Sequence, residues 1–312
     1  MTTSAHLPGS KHPSAQQNSG VLRFAAKALR LLPAGTPGKT RTAKLVLRPL
    51  LKTGDATIDD RSGFKYLIPS LREPLAYHLL FDGVYEPETL RLLLSRLGPG
   101  STFVDVGANI GAFTVPAAGK LGMTGRAVAI EASPQVLPYL EHNLRINGCS
   151  NVCLRCCAAS DTDTPLPFYE APADQFGMGS IGPQFLADPT LVPAATLDRI
   201  LSEEHITEVG VVKVDVEGCE AAVFRGAARL LNGPRPPLVV FEFCDWAEAR
   251  APGAKVGDAQ RLLREWGYSL WLLRDYGRRG ARPLEGALSQ GFDMLVAEKL
   301  PSRPGHSRAR AD

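Results

Sequence analysis

Three ionisable residues alternate with valines in "VVKVDVEG": Lys213, Asp215 and Glu217. On an extended strand, residues two apart share a face, so these three point one way and Val212, Val214 and Val216 the other. Burying three such groups is costly unless they pair or line a cleft. Two readings follow. One is a Lys213–carboxylate pair with no chemistry. The other is a pair of acids at the strand's carboxyl end that can accept a proton, with Lys213 restraining which of them ionises. Glu242, in "VVFEFCDW", takes the matching place on the next strand, either joining that cluster or pairing with a surface base. Asp215, Glu217 and Glu242 could together hold magnesium, but acids of this kind are no specific metal signature, and no metal is assigned.

A second group lies a hundred residues earlier, in "STFVDVGANIGAFT". Asp105 ends an apolar run, and Gly107, Asn109 and Gly111 follow as G-x-N-x-G. Glycines there permit positive φ and leave room for a ligand. The turn is not the G-x-G-x-x-G that cradles a pyrophosphate. A carboxylate just before it repels phosphate and attracts an amine or sulfonium. Glu131 ends the next strand, where an acid can accept both hydroxyl protons of a ribose. Asp161, after the third strand, could meet an adenine amino group or merely start a turn. Together these acids suit S-adenosylmethionine, which carries an ammonium, a sulfonium and a ribose. An NAD-dependent oxidoreductase is the rival enzyme reading, because Glu131 would serve NAD equally well.

Alternating strand and helix patterns must position these groups. Short apolar runs begin near residues 102, 126, 151, 209, 237, 268 and 292, with helical patterns between all but the last two. Near-continuous apolar strands separated by helices predict an α/β fold, a parallel sheet with helices on both faces. With no helix between them, the last two strands are expected as antiparallel neighbours. Seven strands ending this way match the class I methyltransferase arrangement, which is Rossmann-like. Residues 41–100 are expected as helices packed on or beside the sheet. Residues 101–300 are expected as the main domain, with disordered tails at 1–40 and 301–312.

The stretches "YEPETLRLLLSRLGPGSTFVDVGANIGAFT", "AIEASPQVLPYLEHNLRING", "ATLDRIL" and "VVKVDVEGCEAAVFRGAARLL" resemble the FkbM-type S-adenosylmethionine-dependent methyltransferases. The pairing of D-V-G-A-N-I-G with a later K-V-D-V-E-G is the specific part, and the resemblance spans roughly residues 82–245. It implies O-methylation of a hydroxyl on a sugar, glycolipid or secondary metabolite. It also implies that Asp105, Gly107, Asn109, Gly111 and Glu131 hold the cofactor, with Glu86 approaching from the preceding segment. A non-catalytic nucleoside-binding scaffold is the reading outside enzymes.

Composition narrows the partners. The 312 residues are 44% hydrophobic and 21% charged, as in ordinary globular chains, and a net charge of +3 implies no nucleic-acid partner. Before Asp55 stand nine Lys or Arg and no acid. Residues 21–33 could form a short amphipathic helix with Arg23, Lys27 and Arg30 on one side, and read as a solvated basic tail, as a membrane-surface anchor or as an organellar presequence. No apolar run approaches the roughly 20 residues of a membrane span. Cys149, Cys153, Cys156 and Cys157 cluster on strand-like sequence with too few further ligands for zinc, and reduced thiols fit a cytoplasmic setting. The long Gly/Pro-rich segment 168–189 is either the acceptor-binding region, with Phe176, Met178 and Phe185 closing over it, or a mobile loop. Asp198 is expected as a helix cap, and His78 and His205 as packing or surface residues. Nothing in the sequence reads out an oligomeric state.

Overall fold

A computed structural model describes residues 20–34, 36–185 and 188–300. Its strands are, in chain order, β1 (Thr53–Asp59), β2 (Lys65–Ser70), β3 (Thr102–Val106), β4 (Arg126–Glu131), β5 (Val152–Cys156), β6 (Ala158–Ala159), β7 (Leu166–Phe168), β8 (Thr190–Val192), β9 (Ala194–Ala195), β10 (Val211–Val214), β11 (Leu238–Cys244), β12 (Ser269–Leu272) and β13 (Phe292–Glu298). Seven of them form one sheet in the order β12-β13-β11-β10-β3-β4-β5. Neighbours from β11 to β5 run parallel, and β13 runs antiparallel to both β11 and β12. The reversed last strand therefore lies inside the sheet, one place from its edge. This is the mostly parallel seven-stranded class I methyltransferase architecture that the run of strands predicts.

Alternation along each strand sorts side chains between two cores. Val104, Val106, Val212, Val214, Phe241 and Phe243 pack on one face with Val223, Phe224 and Leu263. Phe103, Val211, Val240 and Val296 pack on the other with Leu93, Phe113 and Leu121. Asp105 and Lys213 fall on this second face, and the β3–β10 register sets them side by side. Chain connections diverge between β3 and β10, so a crevice opens beyond the carboxyl ends of these two strands.

The segment 41–100 is not all helical. β1 and β2 form an antiparallel hairpin, and helices follow at Pro74–Tyr77 and Pro87–Arg96. Ala56 and Ile58 are buried in strand alternation, with Asp60 closing the turn by accepting from the Ser62 and Phe64 amides. The hairpin has only two strands, and side chains of the helix Leu137–Ile146 satisfy the edge of β2. The Asn143 amide accepts from Leu67 N (2.7 Å) and donates to Leu67 O and Ile110 O (both 3.0 Å). Asn147 repeats the pairing with Lys65, at an exposed position. Asn143 is fully buried and ties the hairpin to the turn after β3. Asn143→Leu strands three buried backbone groups and is expected to cost about 3 kcal/mol in urea unfolding, whereas Asn147→Ala costs under about 1 kcal/mol. Equal losses in the two variants would contradict this account.

The expectation of a disordered tail over 1–40 is also corrected for its described part. Gly20–Leu29 is a helix that buries Leu22 and Ala26. Arg30 donates to Leu79 O, Leu80 O and Asp59 O, the first two being carbonyls of the π-helical turn His78–Asp82. Lys39 is buried in an ion pair with Asp82, which His78 also contacts. These basic residues serve backbone carbonyls and a buried acid rather than solvent alone. Residues 1–19 and 301–312 lie outside the described residues. Among the described residues no helix is long and apolar enough to cross a membrane.

Candidate active site

The carboxyl ends of β3, β4, β10 and β11 surround a cavity of about 330 Å³. Of the residues expected at a site, Gly107, Asn109 and Glu131 line one part of it and Lys213, Asp215, Glu217 and Glu242 another.

Gly107 has φ 76°, and a Cβ there would overlap the carbonyl of Asp215. Two chain segments thus meet at the crevice with no side chain between them. Asn109 is itself left-handed (φ 50°) and holds that shape by accepting from Ile110 N (2.8 Å). Glu131 spans the same turn: one carboxylate oxygen accepts from Asn109 N and the other from Ser133 N, both at 2.8 Å. Burial raises its pKa, and these amides oppose the rise. A carboxylate has about four acceptor directions, so two are left for hydroxyl groups in the cavity.

The strand alternation read into 213–217 ends early. β10 stops at Val214, and the chain turns through Glu217 (φ 55°) and Gly218 (φ 95°). The acids converge nonetheless, because Lys213 pairs in register with Val240, two residues before Glu242. Lys213 is 1% exposed. Its ammonium donates to Asp215 Oδ2 (3.1 Å), stands 3.8 Å from Asp105 Oδ1 and lies 4.8 Å from the centre of the Phe113 ring. Burial lowers its pKa, but Asp215, Asp105 and Glu86 outweigh that and hold it charged. Burial pushes Glu217 up, with Asp215 and Glu220 adding to it and Lys213 opposing. Glu242 is pushed well above the carboxylate range by burial, then by Asp215 and Glu217.

Four expected residues are not brought to the cavity wall. Asp105 is fully buried behind it, accepting from Thr114 Oγ1 at 2.6 Å. It was expected to face a positive ligand and instead faces Lys213, because the register of β3 and β10 places that base beside it. Glu86 accepts from Thr89 at the start of its helix and is half-buried there. Gly111 gives close helix packing, where a Cβ would press on Leu140. Asp161 sits past β5 and β6 and pairs with Arg225 at 2.7 Å. Asp198 does cap a helix, though not its own: it accepts from Arg229 N and Leu230 N, while Thr196 caps the helix Leu197–Glu203.

The segment 168–189 covers part of the cavity. Phe176 and Met178 line it, and Phe185 does not. The segment is anchored where Ser180 donates to Glu217 O (3.0 Å) and Gln184 also reaches that carbonyl. Leu186 and Ala187 lie outside the described residues. Sequence reasoning missed Tyr85, Phe113, Trp246 and Glu73, which also line the cavity. Glu73 is the one with a local signal. It precedes Pro74 as a helix cap and accepts from Ala76 N (3.2 Å), and burial raises its pKa to about 7.

A family model, the methyltransferase FkbM domain, matches residues 105–270. The chain belongs to the FkbM methyltransferase domain family. That match runs from Asp105 into β12 and so contains both groups of acids at the cavity. No curated protein matches the FkbM chain. Among solved structures it is similar to an FkbM methyltransferase from Methylobacillus flagellatus KT, at 19% identity and a TM-score of 0.42; the likeness covers 88% of this chain and 58% of that one. An O-methyltransferase from Thermotoga maritima is similar at 16% identity over 81% of this chain and 80% of that one, with a TM-score of 0.39. The precorrin-6y C5,15-methyltransferase from Geobacter metallireducens GS-15 is similar at 14% identity over 70% and 93%, with a TM-score of 0.41.

Proposed function

We propose that this protein transfers the methyl group of S-adenosylmethionine to a hydroxyl oxygen on a sugar, glycolipid or secondary metabolite. One observation carries the reading: a single cavity joins a carboxylate with free acceptor directions, Glu131, to a cluster of acids, Asp215, Glu217 and Glu242. The first suits ribose hydroxyls and the second suits positive charge. Gly107 and Asn109 leave backbone rather than side chain beside Glu131, which gives a nucleoside room. The cofactor supplies an electrophilic methyl group on sulfur.

The rest of the chemistry falls to the chain. In an in-line displacement the O–CH3 bond forms as the S–CH3 bond breaks, and the electron pair of that bond leaves with sulfur. Alignment in a desolvated cavity supplies much of the rate. The acceptor's hydroxyl proton must also leave, and Asp215 or Glu217 at the cavity wall is the candidate to take it. Lys213 donates to Asp215 Oδ2 and fixes the orientation of that carboxylate at the cavity wall. Phe176 and Met178 present apolar surface to the acceptor.

The NAD reading has less to recommend it. A pyrophosphate needs donors, and among the described residues the one Lys or Arg lining the cavity is Lys213, already committed to two carboxylates. Calorimetry with each cofactor is the test. S-adenosylmethionine is expected to bind, and Glu131→Ala to weaken it about 10- to 100-fold, which is roughly 1.4–2.8 kcal/mol. Tight NAD binding with none of S-adenosylmethionine reverses the reading. An extract incubated with labelled cofactor, with and without the protein, should then show a new labelled methyl ether by mass spectrometry. Cofactor binding with no methyl transfer to any component would favour the scaffold instead.

A further inference from the structure

We propose that Asp215, Glu217 and Glu242 are the protein ligands of a divalent-cation site in the wall of the cavity. Each offers one carboxylate oxygen, and the three oxygens lie within 4.8 Å of one another. Hard divalent cations bind oxygen at about 2.0–2.6 Å, so two ligands on opposite sides of one ion are roughly 4–5 Å apart. One ion can therefore reach all three with small side-chain adjustments.

Glu242 points to a ligand independently of the cluster. It is 7% exposed, on a strand whose seven residues are all buried, and it lines the cavity. Its Oε2 is buried with no hydrogen-bond partner. A bare carboxyl group in that setting costs free energy with no return from packing. Lys213 does not offset it. That ammonium is spent on Asp215 Oδ2 and Asp105, and among the described residues no ion pair reaches Glu217 or Glu242. Oδ2 of Asp215 faces Lys213, which leaves Oδ1 for the ion.

The ligand set selects the cation class. Three carboxylates and no nitrogen or sulfur suit Mg²⁺, Mn²⁺ or Ca²⁺ rather than a soft metal. Three protein oxygens leave coordination positions open for water and for an oxygen of the acceptor. A hydroxyl held there would lose its proton more readily, to the carboxylate oxygen of Glu217 that the ion does not take, which deepens the proposed function and rests on that reading. The binding of the cation rests on the carboxylates alone.

The test uses the full chain, stripped with chelator, without cofactor or acceptor. Mn²⁺ titration followed by electron paramagnetic resonance is expected to show one site per chain, displaced by excess Mg²⁺. Glu242→Gln and Glu217→Gln are each expected to weaken Mn²⁺ at least 10-fold. Stripped Glu242→Gln is expected to unfold at no lower temperature than the stripped parent, since Gln adds no buried charge. Should it not fold, Glu217→Gln, on a turn rather than in the sheet, carries the test. No stoichiometric Mn²⁺ on the parent chain, or undiminished binding in a folded variant, overturns the proposal. Because cofactor is absent throughout, failure of the methyl-transfer reading would leave this result unaffected.

Discussion

Gly107→Ala is expected to destabilise the protein by more than about 3 kcal/mol and to abolish cofactor binding in whatever folds. A left-handed backbone costs a residue with a Cβ about 1–2 kcal/mol. Here the new atom would also overlap the Asp215 carbonyl, which is backbone and cannot rotate away. Relief requires β3 and β10 to part at their carboxyl ends, and that separation moves both halves of the cavity. Gly148→Ala is the control. Its φ is 67°, and no atom lies within 4 Å of the added Cβ. It should lose only the backbone cost, with cofactor affinity unchanged. Urea unfolding and calorimetry on both variants check this. Similar losses at the two positions would mean that the close approach at Gly107 contributes nothing.

Lys213→Met is expected to cost about 3–5 kcal/mol, the usual penalty for removing one partner from a buried ion cluster. Methionine fills much of the same space, so the loss should be electrostatic rather than steric. Its pH dependence separates the two. Asp105 already has its pKa raised by burial, with Lys213 and Thr114 opposing. Without Lys213 the rise is larger. A carboxyl whose folded pKa exceeds its unfolded value contributes stability that is fully present below the unfolded pKa and is lost as pH rises through the folded one. The gap between Lys213→Met and the parent should therefore widen from pH 5 to pH 8 in urea unfolding. Adding Asp105→Asn to Lys213→Met should recover part of the loss at pH 8. A gap independent of pH, or no recovery, would assign the loss to packing.

Much of the sheet was legible because its information is local. Runs such as "TFVDV" and "VVFEFC" are short, mostly apolar and rich in β-branched and aromatic residues, which marks strands covered on both faces. The hairpin β1–β2 was missed for a related reason. Its alternation is short and polar, and the edge of β2 is completed by Asn143, 76 residues away from Leu67. The amphipathic helix at residues 20–29 was legible in its own pattern, but it was assigned to a tail because nothing in that pattern announces that Arg30 meets the carbonyls of Leu79 and Leu80.

The acids divide in the same way. The sequence by itself determined that Asp105, Glu131, Lys213, Asp215 and Glu242 stand at or near strand ends, since period-two alternation and glycine turns are properties of short segments. Only the tertiary structure decided what each one meets. Asp105 meets Lys213 and not a ligand because β10 pairs with β3 in the register that sets them side by side. Glu217 joins Asp215 and Glu242 because the chain turns after Val214 rather than continuing straight. Which charges become neighbours depends on contacts between segments distant along the chain, and Coulomb energy follows distance in space, which no local pattern contains.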